Sequence, residues 1–198
     1  MIKLKNVEID GALYPIQDYN LYELEQAANA GKILSIAEDG SLVAVKFSQS
    51  PILVNGENVA TLAEAFAIGG EVKLMEDIVL TEQVICDKDV VLNLNGHAII
   101  ADCVLTSGIL NVAHGGFLTI KGHGCIDAKK CYGAISMTQK GDEDDSKIAK
   151  LVVENGFLKG QYYAICGNGN KGRGNTSVTI NGGELSTYMA DGAGIFNP

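Results

Sequence analysis

The chain has 198 residues and carries 24 acidic against 15 basic side chains, a net charge of −9. Its length suits one medium domain or two small ones, and a hydrophobic share of 46% supplies enough apolar residues for a buried core, which argues against disorder. An acidic surface repels phosphate groups, and Arg173 is the single arginine, so we expect no nucleic-acid partner.

The N-terminal residues contain no apolar stretch or cleavage site typical of a secretory signal, and no apolar run approaches the roughly 20 residues that span a bilayer. We therefore expect no signal peptide and no membrane partner. The cysteines lack the spacing of zinc sites or of a disulfide framework, which predicts reduced and mostly buried thiols, as in proteins that fold in a cytoplasm. They are Cys86, Cys103, Cys125, Cys131 and Cys166.

Residues 1–57 have the pattern of a small α+β domain. Residues 7–9 alternate like an exposed strand, as do residues 2–4 before them. Residues 21–28 read as a helix of about three turns. Two further alternating runs flank an Asp-Gly pair at residues 39–40, which is a strong hairpin signal. A Ser/Gln/Pro cluster near residue 50 marks a junction with the rest of the chain.

A second, shorter helix is predicted over residues 61–67. Thr61 can cap it, Glu64 completes a capping box, and Gly69 follows its end. We expect this helix to cover the first open edge of the structure that comes after it.

From Val72 onward the sequence repeats. Each repeat has two alternating apolar positions, a polar residue, a Gly or Asn turn and another apolar residue, and successive repeats start at residues 91, 117, 150 and 177. Most of the 24 glycines fall after residue 55, which indicates repeated tight turns. A period of about 30 residues without an internal helix excludes leucine-rich repeats and propeller blades and favours a solenoid of short strands.

In such a solenoid the repeats stack, their strands pair in parallel, and alternate side chains fill interior columns. The sequence predicts one column of Leu92, Leu118, Leu151 and Val178, with Leu94, Ile120, Val153 and Ile180 in the column beside it.

An amphipathic helix followed by V-x-I-x-G-G repeats resembles the pectin-lyase-like right-handed parallel β-helix superfamily. Residues 120–128 are similar to the G-x-G-x-I-D turn of its early coils. The resemblance covers roughly residues 58–198 and implies an all-β fold, a right-handed parallel β-helix (solenoid) behind the small α+β N-terminal domain. Members include polysaccharide lyases, glycosidases, adhesins, and phage tailspikes and fibres.

Gly122-His123-Gly124 also resembles the Gly-His-Gly element of the polygalacturonases. That family has an Asn-Thr-Asp segment and paired aspartates upstream and an Arg-Ile-Lys segment downstream, whereas here Asp144 and Asp145 lie downstream and both segments are missing. Inverting hydrolysis needs two carboxylates across the scissile bond. We therefore expect His123 to occupy a turn, stacked with His97 of the preceding repeat, and not to be catalytic.

Three further patterns are weaker. The acidic residues 142–145 suit either calcium or a solvated loop. Residues 167–172 match G-x-G-x-x-G, but a strand-forming segment and not a helix follows, so we expect no phosphate site. Tyr162, Tyr163 and Tyr188 suit either a sugar-stacking face or ordinary packing. The sequence thus predicts no catalytic residue, no cofactor and no metal.

The resemblance implies a non-enzymatic structural or binding protein, a phage fibre or decoration protein of the virion that is assembled in the host cytoplasm. Its N-terminal domain would attach to capsid or tail proteins, and its β-helix would project, bind surface glycan and form a homo-oligomer, expected to be a trimer. The repeat would normally continue past Pro198. The alternative is a carbohydrate-active β-helix enzyme, a polysaccharide lyase or glycoside hydrolase.

Overall fold

The computed structural model describes residues 6–9, 12–15, 32–36, 42–46, 51–139, 144, 146–168, 170 and 173–196. The chain divides into two compact units, Met1–Ser48 and Gln49–Pro198. The boundary expected after residue 57 lies inside a hairpin of the second unit.

The first unit contains four short strands, β1 (Asn6–Ile9), β2 (Ala12–Pro15), β3 (Lys32–Ile36) and β4 (Leu42–Lys46), in the order β2-β1-β4-β3. The hairpin predicted around the Asp-Gly pair is confirmed, because β3 and β4 pair antiparallel with Ile36 opposite Leu42. The predicted helix over residues 21–28 and the strand over residues 2–4 lie outside the described residues.

The second unit opens with a hairpin of β5 (Ile52–Val54) and β6 (Glu57–Val59), followed by α1 (Leu62–Ile68), the one helix in the described part of the chain. The predicted capping box is confirmed, since the Thr61 side chain accepts from the Glu64 amide and the Glu64 carboxylate accepts from the Thr61 amide, each at 3.2 Å. The inner face of α1 buries Leu62, Ala65 and Phe66.

Fifteen short strands follow, and they build three parallel sheets. They are β7 (Gly70–Leu74), β8 (Ile78–Leu80), β9 (Val84–Cys86), β10 (Asp89–Asn93), β11 (Ala98–Ala101), β12 (Leu105–Val112), β13 (Phe117–Lys121), β14 (Cys125–Ala128), β15 (Cys131–Met137), β16 (Ala149–Val153), β17 (Phe157–Gly160), β18 (Tyr163–Cys166), β19 (Thr176–Ile180), β20 (Glu184–Thr187) and β21 (Ala193–Phe196).

Every third strand belongs to the same sheet. Sheet A has the order β19-β16-β13-β10-β7-β5-β6, sheet B has β20-β17-β14-β11-β8, and sheet C has β21-β18-β15-β12-β9. Three consecutive strands therefore contribute one strand to each sheet, and we call such a group a layer. Only β5 and β6 join sheet A antiparallel. The fold is mostly β, with parallel sheets and one short helix among the described residues.

The predicted interior column needs a correction of two residues at its first position. Val90, not Leu92, lies opposite Leu118, while Leu92 lies opposite Ile120. A sequence alignment that places Gly96 opposite Gly122 brings the turns together but not the strands. The turn between β10 and β11 is one residue longer than the turn between β13 and β14. The observed columns are Val90–Leu118–Leu151–Val178 and Leu92–Ile120–Val153–Ile180.

The correction leaves the interior intact, because a shift of two residues keeps every side chain of a strand on the same face. Leu92 and Leu118 are fully buried as predicted, and Leu94 is buried just beyond the end of β10. The inward residues of all three sheets form one hydrophobic cluster, against which Val178 and Leu185 of the last layer are only partly buried.

Candidate functional site

The outer face of sheet B carries polar side chains in its last three layers. In successive layers Ile100 pairs with Asp127, Asp127 with Lys159, and Lys159 with Ser186. Their neighbours Ile126 and Leu158 are fully buried, so the alternation of a strand turns this row outward. A carboxylate, an ammonium group and a hydroxyl are thereby stacked at the spacing between strands.

Tyr188, just after β20, reaches back across two layers to this row. Its hydroxyl donates to Asp127 with both carboxylate oxygens 2.8 Å away, and its amide donates to the Gly160 carbonyl at 3.0 Å. Burial raises the pKa of Tyr188 to about 12, and the hydrogen bond to and the charge of Asp127 act in the same direction. The phenol therefore stays protonated at neutral pH and acts as a donor.

Two lysines and a second aromatic ring complete the group. Lys159 Nζ lies 4.0 Å from the centre of the Tyr188 ring and 6.0 Å from that of Phe157, and Lys129 Nζ lies 5.6 Å from the Tyr188 ring. Neither lysine forms an ion pair with a described residue. We call Asp127, Lys129, Phe157, Lys159 and Tyr188 the tyrosine–lysine cluster.

An aromatic strip of four rings lies in the last three layers. Tyr132, Tyr162 and Tyr163 lie where sheet B leads into sheet C, and Phe196 ends β21. The Tyr132 and Tyr162 rings meet edge to face with centres 5.1 Å apart, and the Tyr163 and Phe196 rings stack at 4.8 Å. Tyr162 and Tyr163 are linked by a tilted contact at 6.3 Å. Tyr132 and Phe196 are more than 40% exposed. The strip therefore presents aromatic surface to the solvent.

The tyrosines named from the sequence thus fall into two groups. Tyr162 and Tyr163 belong to the aromatic strip, whereas Tyr188 belongs to the tyrosine–lysine cluster. The two groups are joined through the backbone, since the amide of Met189, next to Tyr188, donates to the carbonyl of Gln161, next to Tyr162.

His123 lies exposed in the turn between β13 and β14. The expected stack with His97 is wrong, because Ala98 pairs with Cys125 and His97 consequently lies beside Gly124. His97 Nδ1 is 3.5 Å from Asp77 Oδ1. The two histidines are one residue out of step because the turns that contain them differ in length by one residue.

Only part of the acidic run is described. Asp144 accepts hydrogen bonds from the amide and hydroxyl of Ser146 and lies 3.6 Å from Lys147 Nζ, and these contacts hold the pKa of Asp144 below its usual value, with the Ser146 hydrogen bonds first. Residues 140–143 and 145 lie outside the described residues. No group of three metal-ligating side chains occurs in the part of the chain that the structure describes.

The segment that matches G-x-G-x-x-G is followed by strand β19, as predicted. Within this segment the Gly167 carbonyl accepts from the Gln139 side chain at 3.4 Å, and just after the segment the Gly174 carbonyl lies 2.7 Å from His114 Nε2. His114 is buried at this contact, and no motif in the sequence singles it out.

Cys125 is the cysteine next to the tyrosine–lysine cluster. Burial raises its pKa, and the charges of Asp127 and Asp77 raise it further. A nucleophilic thiol needs the opposite environment, in which nearby positive charge favours the thiolate. The surroundings of Cys125 therefore suit a thiol that remains protonated.

Comparisons with protein-family models, with curated proteins and with solved structures found no match. Among the described residues no helix has the length and apolar character needed to cross a membrane.

Sequence reasoning named Asp127 and Tyr188 separately but did not join them. They are 61 positions apart, and their contact exists only because β14, β17 and β20 are neighbours in sheet B. The G-x-I-D resemblance pointed to Asp127 as part of a turn. No local sequence pattern indicates that a tyrosine two layers away contacts Asp127.

Proposed function

We propose that the second unit coils as a right-handed parallel β-helix. The proposal is supported by the regular return of every third strand to the same parallel sheet over five layers. Handedness follows from the general rule that crossovers between parallel strands are right-handed in almost all cases.

We further propose that the protein is a non-enzymatic structural and binding protein whose outer surface takes a glycan. The observation that carries this proposal is the tyrosine–lysine cluster, which combines aromatic rings with ammonium groups that have no carboxylate partner among the described residues. Rings offer apolar faces with polar edges, and a few placed polar groups give a binding surface its orientation. The aromatic strip extends the same surface.

The chemistry of Asp127 favours binding over catalysis. A general base needs a carboxylate that can approach the proton of a substrate, and a hydrolase of this kind needs a second carboxylate across the bond. The Tyr188 hydroxyl already donates to the Asp127 carboxylate, and the raised pKa of Tyr188 keeps this phenol protonated, so it is not a base at neutral pH. A bound glycan would meet hydrogen-bond donors at the tyrosine–lysine cluster, but no group that is ready to take a proton from it.

The role as a phage fibre or decoration protein is the corresponding proposal for the whole chain. The separation into two compact units supports it, because an attachment domain and a projecting shaft need separate cores. In this proposal the N-terminal unit binds capsid or tail proteins, and the exposed edge formed by β19, β20 and β21 supports a homotrimer.

Affinity electrophoresis of the full chain through gels that contain polygalacturonate, alginate or neutral dextran tests the binding role. We expect at least one polysaccharide to retard the protein, and Lys159→Ala to abolish the retardation. Lys150→Ala is the matched control, because Lys150 also lies over an aromatic ring, Phe117 at 5.8 Å, but on sheet A. His123→Ala should leave the retardation unchanged within a few-fold.

The same polysaccharides are incubated with the protein, and reducing ends and unsaturated products are measured. We expect no release of either. Product formation that Tyr188→Phe or His123→Ala abolishes would favour the alternative, a carbohydrate-active enzyme.

A further inference from the structure

Two of the five cysteines meet where sheet B leads into sheet C. Cys103 lies between β11 and β12, and Cys131 begins β15 in the next layer. The residues before them are held together as well, since Lys130 Nζ is 2.9 Å from Asp102 Oδ1. The positions of the two cysteines are therefore set by an ion pair on one side and by the pairing of Leu105 with Cys131 on the other.

The Cys131 thiol donates to the Cys103 carbonyl, with sulfur and oxygen 3.3 Å apart. Burial raises the pKa of Cys131 to about 12, and the neighbouring Cys103 thiol acts in the same direction. Cys131 is fully buried, whereas Cys103 is only partly buried.

The other three cysteines lack such a partner among the described residues. The Cys86 thiol donates to the Lys88 carbonyl and the Cys166 thiol to the Ile135 carbonyl, and burial raises their pKa values to about 12 and about 11. Cys125 is partly buried on the outer face of sheet B.

We propose that Cys103 and Cys131 form a redox modification site, in which a small-molecule disulfide oxidises the pair to a disulfide that joins two successive layers. This inference does not rest on the proposed glycan binding. Neither cysteine belongs to the tyrosine–lysine cluster.

The reaction proceeds in two exchanges. The Cys103 thiolate, on the accessible side, attacks one sulfur of the oxidant, so that its sulfur–sulfur bond breaks, a mixed disulfide forms and one small thiolate leaves. The Cys131 thiol then loses its proton to the solvent and attacks the Cys103 sulfur, which displaces the second small thiolate. Two protein thiols are oxidised, and one small disulfide is reduced to two thiols.

Burial makes Cys131 the slow, resolving thiol. The raised pKa of Cys131 keeps its thiolate fraction small near neutral pH. Its attack is therefore slow, because the thiolate is the attacking species. The second exchange should therefore be faster at mildly alkaline pH, and a mixed disulfide on Cys103 should be its precursor.

The disulfide would close a ring that contains β12, β13 and β14, one full passage through the three sheets. Strand β12 lies inside this ring, and its pairing with β15 is irregular, with a register shift between Leu105 and Gly108. Val104, next to Cys103, is 79% exposed. The cross-link would thus secure the least regular strand pairing of sheet C and reduce the freedom of the unfolded chain.

The test treats the full chain with oxidised glutathione at mildly alkaline pH, quenches it with an alkylating agent and measures intact mass and cysteine-containing peptides. We expect the loss of two hydrogen atoms, a linked peptide pair that contains Cys103 and Cys131, and a rise of about 5–10 °C in the melting temperature. Cys125→Ser is used as the background, because it leaves Cys103 as the one cysteine that is not fully buried.

Single substitutions in that background separate the two roles. Cys131→Ser should stop the reaction at a glutathione adduct on Cys103, whereas Cys103→Ser should yield neither adduct nor cross-link. Cys86→Ser and Cys166→Ser are the matched controls and should still form the cross-link. A linked peptide with another cysteine, a stable adduct without ring closure, or disulfide-linked dimers would overturn the proposal.

Discussion

Tyr188 illustrates how neighbouring charges and burial together decide the protonation state of one side chain. An ammonium group at 4.0 Å from its ring favours the phenolate, whereas burial and the adjacent Asp127 carboxylate favour the neutral phenol. The second pair of effects prevails and raises the pKa of Tyr188 to about 12. The contact with Asp127 therefore stabilises the folded chain below pH 10, the ordinary tyrosine value, and is lost as the pH rises through 12.

Asp127→Asn should move the pKa of Tyr188 back toward its ordinary value, because the amide removes the negative charge that opposes ionisation. Tyrosine ring carbon signals followed by NMR near pH 10 measure the change. We expect the Tyr188 signal to begin to shift in the variant and to stay in place in the parent chain. Asp89→Asn, on sheet A, is the control, and an equal shift in that variant would contradict the assignment.

Gly124 is a position where the backbone leaves no space for a side chain. Its φ is +137°, and an added Cβ would lie 2.3 Å from the His97 carbonyl oxygen. Gly124→Ala should therefore lower the free energy of unfolding by about 1–3 kcal/mol, from backbone strain and close contact. Gly174→Ala, with ordinary φ and open surroundings, should change stability by less than about 0.5 kcal/mol. Urea unfolding measures both, and equal effects would contradict this account.

The strands of sheet A show why stacked parallel strands tolerate irregular repeats. The turn between β10 and β11 differs in length from that between β13 and β14, yet Leu92 and Leu118 are both fully buried. Strand pairing can shift by two residues between layers without moving a side chain to the other face. The alternation within each strand, and not the period of the repeat, maintains the core.

A charge in the interior column should unfold the second unit. Leu118→Asp or Ile120→Asp would bury an unpaired carboxylate, which costs several kcal/mol or more. Ile180→Asp is the matched control, because Ile180 occupies the same column as Ile120 but is 38% exposed in the last layer. Circular dichroism should show loss of folding for the two buried positions only. A folded Leu118→Asp variant would contradict the placement of Leu118 in the interior.

For the molecule as a whole, the last layer carries core residues without a layer above them in the structure. Val178, Leu185 and Ile195 continue the buried columns through Leu151, Leu158 and Ile165. They are less buried than these counterparts, and Ile195 is 44% exposed. Apolar residues on an open strand edge favour pairing with another chain.

We therefore expect the 198-residue chain, taken by itself, to self-associate increasingly with concentration, since closed symmetric assemblies bury such edges. Multi-angle light scattering at micromolar concentration measures it, with a trimer as the expected species. Ile195→Asp should shift the protein toward the monomer. Val104→Asp, at an exposed apolar residue away from this edge, should not. A parent chain that remains monomeric at all concentrations would contradict the expectation.

Short sequence patterns predicted those elements whose structure depends on neighbouring residues along the chain. Thr61 and Glu64 predicted the capping box, the Asp-Gly pair predicted the β3–β4 hairpin, and the alternation of apolar residues predicted which side chains of sheet A are buried. Each of these signals arises within a few residues, where hydrogen bonding and side-chain direction depend on neighbours along the chain.

The pairing between layers was decided only by the tertiary structure. The offset of Leu92 against Ile120 depends on turn lengths, the contact of Tyr188 with Asp127 depends on the order of strands in sheet B, and the meeting of Cys103 with Cys131 depends on the corner between sheets B and C. These contacts join residues up to 61 positions apart. Their geometry follows from backbone pairing between strands, which no pattern along a single stretch of sequence encodes.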